Sequence, residues 1–477
     1  MDYKTDFQIY GRITIRIWYS KIMNKLTKHK SLKYGFSGIS NMRFHKYNLA
    51  SIFIMILIFS SVYGATAGNP DYLITRIKNN GTGNGQFNAL YDVIIVDEKY
   101  YVVDFSLDRV QIFDTNWNYI DQFGGSGSGL GQLNGPISLY YNGTYIFVPE
   151  YSNDRISIFD TDGNYVAMFG ESGINLNQIY RPVSVTTHDD LIFVTDSGNS
   201  RVQVYNATTL EYLITYNPSQ IDLPYGISFY DGILYVCDAT AGTVVMLDAT
   251  TGHYVGDAIN YPSNAIGSSS NPISSRVIND YLVVTDSNNQ AVNIYDLTGV
   301  LVDHITANLL IPNGFIIHDN QIIISEVDGN RITVLRAVAN PHNVEIISGD
   351  YGNIITWEID QSVGATSILH YNIYRDDGNR VYFIGQTTTK SYTDVAVHPG
   401  DSYTYLVEAV STIATSDRIS SEQVTFEGPS MPNNDNTGNV TTVIASNSGI
   451  FSGLPVKLLP ILSVLVVIPL IKRRNRL

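Results

Sequence analysis

Val194 to Asn206 reads VTDSGNSRVQVYN. An apolar strand ends in an acid, four small polar residues turn the chain, and an Arg opens a second strand. The same phrase occurs six times. Its acid is Asp104, Glu150, Asp196, Asp238, Asp286 and Glu326, in steps of 46, 46, 42, 48 and 40 residues. Five positions on stand Arg109, Arg155, Arg201, Thr243, Ala291 and Arg331. Ten positions on stand Asp114, Asp160, Asn206, Asp248, Asp296 and Arg336. A repeat of roughly 40–50 residues marks a propeller or a solenoid. Around the third acid, short apolar runs at Pro182–Val185, Leu191–Asp196, Arg201–Tyr205 and Tyr212–Tyr216 are separated by Gly, Asn, Asp and Ser. These are turn formers, and four short strands per period select a propeller blade.

The ends of the repeat array are out of phase. The segment at residues 71–78 resembles a fourth strand with no blade before it, and the sixth unit stops at its third strand, Val334-Leu335-Arg336. Joining the two gives six complete blades over 71–338 and a ring without open edges, which would otherwise template aggregation. The acid and Arg bracket one hairpin. The expected role of Asp104/Arg109, Glu150/Arg155, Asp196/Arg201 and Glu326/Arg331 is an exposed ion pair pinning the turn, contributing about 0–1 kcal/mol.

The 477-residue chain carries a net charge of −15, unevenly distributed. Residues 1–46 hold ten Lys or Arg against two Asp, and residues 69–456 hold 14 basic against 42 acidic residues. So acidic a middle excludes nucleic acid as a partner, since phosphate binding needs clustered Lys and Arg. Residues 1–67 read as a basic leader and signal peptide, or a signal anchor if uncleaved. Met42 sits where a shorter signal would begin, Leu49 to Phe59 is apolar, and Ala65-Thr66-Ala67 offers a cleavage site. Residues 428–448 form a polar linker. Residues 450–471 are expected to form an apolar transmembrane helix, with Lys457 snorkelling, and 472–477 a basic cytoplasmic tail that orients it. Sequons at Asn80, Asn142, Asn206 and Asn439 lie between signal and anchor, open to glycosylation on export. The single Cys237 follows Leu234-Tyr235-Val236 in a strand and reads as a buried thiol.

The repeat resembles the NHL propellers. The resemblance rests on Gly85-Gln86-Phe87 and Gly131-Gln132-Leu133 in the connectors, on Pro136, Pro182, Pro224, Pro272 and Pro312 opening first strands, and on the Val-x-Asp, polar turn, Arg-Val-Gln phrase. Units four and five lack the Arg. Residues 339–427 change grammar and resemble a fibronectin type III domain, at Pro341, Trp357, Tyr371, Asp394, Gly400, Tyr403, Tyr405 and Ala409. The resemblance implies a core role for Trp357 and a backbone-bonding tyrosine at 403 or 405. The fold class expected is therefore all-β: a six-bladed propeller followed by an immunoglobulin-like sandwich.

Function is expected to be binding at a cell surface, from an acidic propeller carried on a fibronectin-like spacer and tethered to a membrane. The alternatives are an extracellular lyase or hydrolase with a propeller-bound metal, and a structural coat component. No HExxH, GxSxG or phosphate loop supports catalysis. No cofactor is expected; a divalent cation has no motif behind it. Strand parity puts each connector and each turn between second and third strands on one face. There Tyr91, Asn134, Arg181, Tyr225, Asn271 and Asn313 should ring the channel mouth and take a protein or glycan ligand, because Tyr and Arg combine contact area with directional bonds. On the opposite face His188, Asp189, Asp190, His318 and Asp319 read as solvated turn residues.

Overall fold

The computed structural model describes residues 71–259 and 270–429. The leader, the linker beyond 429, the apolar segment at 450–471, the basic tail and Asn439 lie outside them. Among the described residues no helix is long and apolar enough to cross a membrane.

Six four-stranded antiparallel sheets follow one another. Blade three, for example, pairs Pro182–His188, Leu191–Asp196, Arg201–Asn206 and Tyr212–Tyr216 in chain order. Blade six takes three strands from its own stretch, Pro312–His318, Gln321–Glu326 and Arg331–Arg336, and its outer strand is Leu73–Lys78 from the other end of the array. That strand runs antiparallel to Arg331–Arg336, with Arg76 opposite Thr333 and Lys78 opposite Arg331.

The ring follows from period-two alternation in the middle strands, which sends successive side chains to opposite faces of a blade. In blade six Ile322 and Ile324 face blade five, where they join Val283, Val292 and Ile294. Ile323 between them faces blade one and joins Leu90, Val93 and Val102. The same sharing fills the junctions one–two, two–three, three–four and four–five, so each blade buries both faces only because it has two neighbours.

Buried polar groups fix the spacing near the axis. Asp92 accepts from Leu139 N–H across junction one–two, and Ser138 donates to Val183 C=O across two–three. Thr195 donates to Tyr225 C=O, Thr285 to Asn313 C=O and Ser325 to Tyr91 C=O, at 2.6–2.9 Å. At four–five Gly226 does without a staple: a Cβ there would lie 2.5 Å from Ile273 C=O, so the backbones approach too closely for any side chain. Cys237 is fully buried at that junction, and burial pushes its thiol up to about 12, leaving it inert at neutral pH.

Residues 341–425 form a two-sheet sandwich. One sheet is Pro341–Gly349, Gly352–Ile359 and Ser391–Asp394. The other orders Val381–Thr387, Ile368–Asp376, Ser402–Ser411 and Ile419–Ser420, with Val424–Thr425 also on Ser402–Ser411. Trp357, Tyr371, Tyr405, Val407 and Ala409 fill the space between. The sandwich packs directly on blades five and six. Ile413 joins their core, Asp303 accepts from the Ser367 N–H and hydroxyl, and Thr366 donates to Ala337 C=O.

Candidate functional site

The repeated acid is buried, as are Arg109, Arg155 and Arg201, with Arg331 part-buried, which corrects the expectation of an exposed turn clamp. Asp104, Glu150, Asp196 and Glu326 are each 0% exposed. Arg201 Nε lies 2.7 Å from Asp196, and Arg155 Nε lies 2.6 Å from Glu150. The guanidinium reaches further than the hairpin. Arg201 also donates to the carbonyls of Asn175 and Gln178, in the connector that enters the blade. Arg155 does the same to Ser128 and Gln132, and Arg109 to Gly83 and Gln86. Asp196 in turn accepts from Tyr180 N–H and from the Asn199 amide. The unit therefore welds turn, connector and strand entry together beneath the surface. Where the Arg is missing, Asp238 accepts from the amides of Asp222, Thr240 and Ala241 instead, so the carboxylate stays satisfied.

This weld holds the connector face in shape, and side chains on that face converge at the channel mouth. Tyr91 packs on Phe105, their centroids 4.8 Å apart. Tyr151 stands close enough to both Tyr91 and Tyr225 to raise their phenols beyond what burial, the larger cause, already does. Arg181 is exposed, with its guanidinium 5.4 Å from the Tyr151 ring centre and 5.0 Å from that of Tyr180. Its backbone is left-handed at φ 55°, at the position that Gly135 fills with φ 62° one blade earlier. Asp154 accepts from Arg181 N–H at 2.8 Å and sustains that conformation. Beneath the mouth lies an axial cavity of about 450 Å³, lined by the first strands of all six blades. Tyr225 and Asn313 reach it from the mouth end, and Asp92 and Arg276 line it. Burial pushes the Asp92 carboxyl up to about 6 against the opposing pull of Arg276.

The six residues expected at the mouth thus take different places. Tyr91, Tyr225 and Asn313 share one register, one residue into the first strand, and Arg181 lies over the rings of Tyr151 and Tyr180. Asn134 turns instead to Asn153, and its N–H goes to Glu150. Asn271 gives its N–H to Asp286, and its side-chain oxygen is buried without a hydrogen bond. Tyr151 was not among the six. The signal for it is one residue after the acid: Phe105 and Tyr151 are aromatic where Ser197, Ala239, Ser287 and Val327 are not. Among the described sequons, Asn142 and Asn206 use their side-chain oxygens to hold turns, and Asn80 is exposed.

On the opposite face the expectation of solvated residues fits His188 and Asp189, which are exposed and 3.4 Å apart. It also fits Asp319, whose side chain is 78% exposed, and fails for His318, at 21%. His318 Nε2 lies 3.2 Å from Asp319 and 3.5 Å from Glu98 of blade one, a convergence between residues 220 apart in sequence.

Residues 180–205 match the NHL repeat. That stretch runs from the connector end Tyr180 through Arg181, the first two strands, the acid, the Arg and the third strand of blade three. A comparison with curated proteins found no match. Among solved structures, a selenomethionine-substituted virginiamycin B lyase from Staphylococcus aureus is 13% identical at TM-score 0.40, over 60% of this chain and 97% of that one. The WD40 β-propeller domain of Doa1 is 14% identical at TM-score 0.41, over 56% and 97%. The structure of U3-55K is 10% identical at TM-score 0.43, over 56% and 100%. No chemistry is carried over from these likenesses.

Proposed function

We propose that this chain is an exported, membrane-anchored binding protein whose propeller takes a protein or glycan ligand on its connector face. The observation that carries the reading is the cluster of Tyr91, Tyr151 and Tyr225 with Arg181, in a left-handed conformation, held over the Tyr151 ring. Aromatic rings offer flat, low-entropy contact area, and an exposed guanidinium adds directional hydrogen bonds and charge. A carboxylate-bearing glycan or an acidic protein segment suits the arginine; stacking of a sugar ring suits the tyrosines. Strained non-glycine backbone persists where surrounding bonds over-determine it, and functional surfaces concentrate such positions.

The sandwich serves as a spacer of the fibronectin type III kind. Its strand order, the buried Trp357 and the Tyr403 hydroxyl accepting the His398 N–H support that assignment. The anchor rests on the apolar run at 450–471 and the basic residues behind it. Nucleic acid does not suit the acidic middle of the chain.

The test of binding compares the wild type with the double variant Arg181→Ala, Tyr225→Ala on a glycan array that includes sialylated and uronic-acid glycans, and in cell-surface protein capture. Loss of the captured ligand with an unchanged melting curve supports the reading. Equal binding by both forms places the site elsewhere. Anchoring is tested by alkaline extraction of membranes: the full chain should stay in the pellet, and a chain ending at residue 449 should not.

A further inference from the structure

Glu98, His318 and Asp319 belong to two type I′ hairpin turns that meet at the junction where the propeller closes. Asp97 and Glu98 turn blade one with φ 47° and 56°, and Asp319 and Asn320 turn blade six with φ 46° and 56°. Asp and Asn suit such turns because they tolerate left-handed backbone; Glu98 has no such explanation. The imidazole of His318 is the fixed element. Its side chain is 21% exposed, while the two carboxylates are 72% and 78% exposed and free to adjust. The Nε2 atom is shielded from solvent and makes no hydrogen bond, although two carboxylates flank it at 3.2 and 3.5 Å. Those separations are off-axis for N–H···O, but they fit two ligands of one ion. With bonds of about 2.0–2.2 Å, the edge of a tetrahedron around zinc is about 3.4 Å. One donor atom from each residue lies within 4.8 Å of the other two.

We propose that Glu98, His318 and Asp319 bind a divalent transition-metal cation of the zinc class. One imidazole nitrogen with two carboxylates suits zinc, cobalt or manganese, whereas calcium and magnesium take oxygen donors. Solvent supplies the remaining ligand on this exposed edge. The ion bridges blade one to blade six, the junction that also carries the Ser325–Tyr91 staple, and so couples occupancy to ring closure. Blade three provides an internal control. His188 and Asp189 repeat the pair, but the His188 ring stacks on Phe229 at 3.8 Å and, among the described residues, no third ligand joins the pair.

The experiment titrates the full-length chain with zinc chloride alone, followed by calorimetry, and records thermal unfolding with zinc and with a chelator. The wild type and His188→Gln should bind one more equivalent than Glu98→Gln and His318→Gln. Zinc should raise their melting temperature by several degrees, and the gain should vanish in those two variants. Glu98→Gln alters only an exposed turn side chain, so it decides the matter even if His318→Gln folds poorly. Equal stoichiometry and equal thermal response in wild type and Glu98→Gln would overturn the proposal, as would loss of the response in His188→Gln.

Discussion

Arg201 is the residue on which the repeat turns. Its guanidinium satisfies Asp196 and two connector carbonyls in a site that is 5% exposed. Removing one partner of a buried pair leaves an uncompensated charge, which costs about 3–5 kcal/mol. Arg201→Ala should therefore lower stability by about that amount in urea unfolding, and Arg201→Lys should recover only part, since an ammonium lacks the planar fork. A loss below about 1 kcal/mol would return the pair to the class of surface clamps. Asp92 gives a pH signature of opposite origin. Burial raises its folded-state pKa to about 6, above the unfolded value. The fold thus favours the protonated form: the stabilisation is complete below about pH 4 and is lost as pH rises through about 6. Asp92→Asn keeps a carbonyl for Leu139 N–H and should flatten stability against pH across that window, measured by urea midpoints at pH 4 to 7.

At the scale of the element, the outer strand Leu73–Lys78 decides whether the ring closes. It covers the edge formed by Arg331–Arg336 and packs Tyr72 and Leu73 against the core between blades five and six. Deleting residues 71–78 exposes an apolar strand edge and half-buried side chains. The melting temperature should fall by about 10 °C, since 1 kcal/mol moves a domain of this size by about 2–4 °C. Light scattering should rise as free edges pair between molecules. An unchanged melting curve would show that the strand is dispensable. The five hairpins between third and fourth strands are held locally. Asp114, Asp160, Asn206, Asp248 and Asp296 each accept from the amide two residues ahead. Hydrogen bonds within these turns, from side chains and amides, hold Asp114, Asp160, Asp248 and Asp296 below the usual carboxylate range. Unit six has Arg336 at this position because no hairpin follows there.

For the whole molecule, the interface between propeller and sandwich sets the unfolding behaviour. Ile413 sits 3% exposed in the core shared with blades five and six, and Asp303 and Ala337 take hydrogen bonds from residues 366 and 367. Residues this intimately shared make the two parts unfold together. Calorimetry should show one transition for the wild type. Ile413→Asp buries a charge in that core, which should separate the trace into two peaks. Two peaks in the wild type would show that the parts are thermodynamically independent.

Much of this was legible along the chain. The acid at a fixed step, the turn residues and the alternating middle strands are local signals, because hairpins and strand faces are decided by neighbours in sequence. The misplaced fourth strand was also legible, as one segment too many before the array and one too few after it. What sequence could not show is depth and convergence. Asp196 and Arg201 read as a surface turn, since nothing local records that the connector folds over them. Tyr151 joins Tyr91 and Tyr225, and Glu98 meets His318, only because blades are wedges around one axis. That geometry brings turns from different blades together at the ends of the channel and at the closing junction, and it is set by the packing between blades rather than by any one of them.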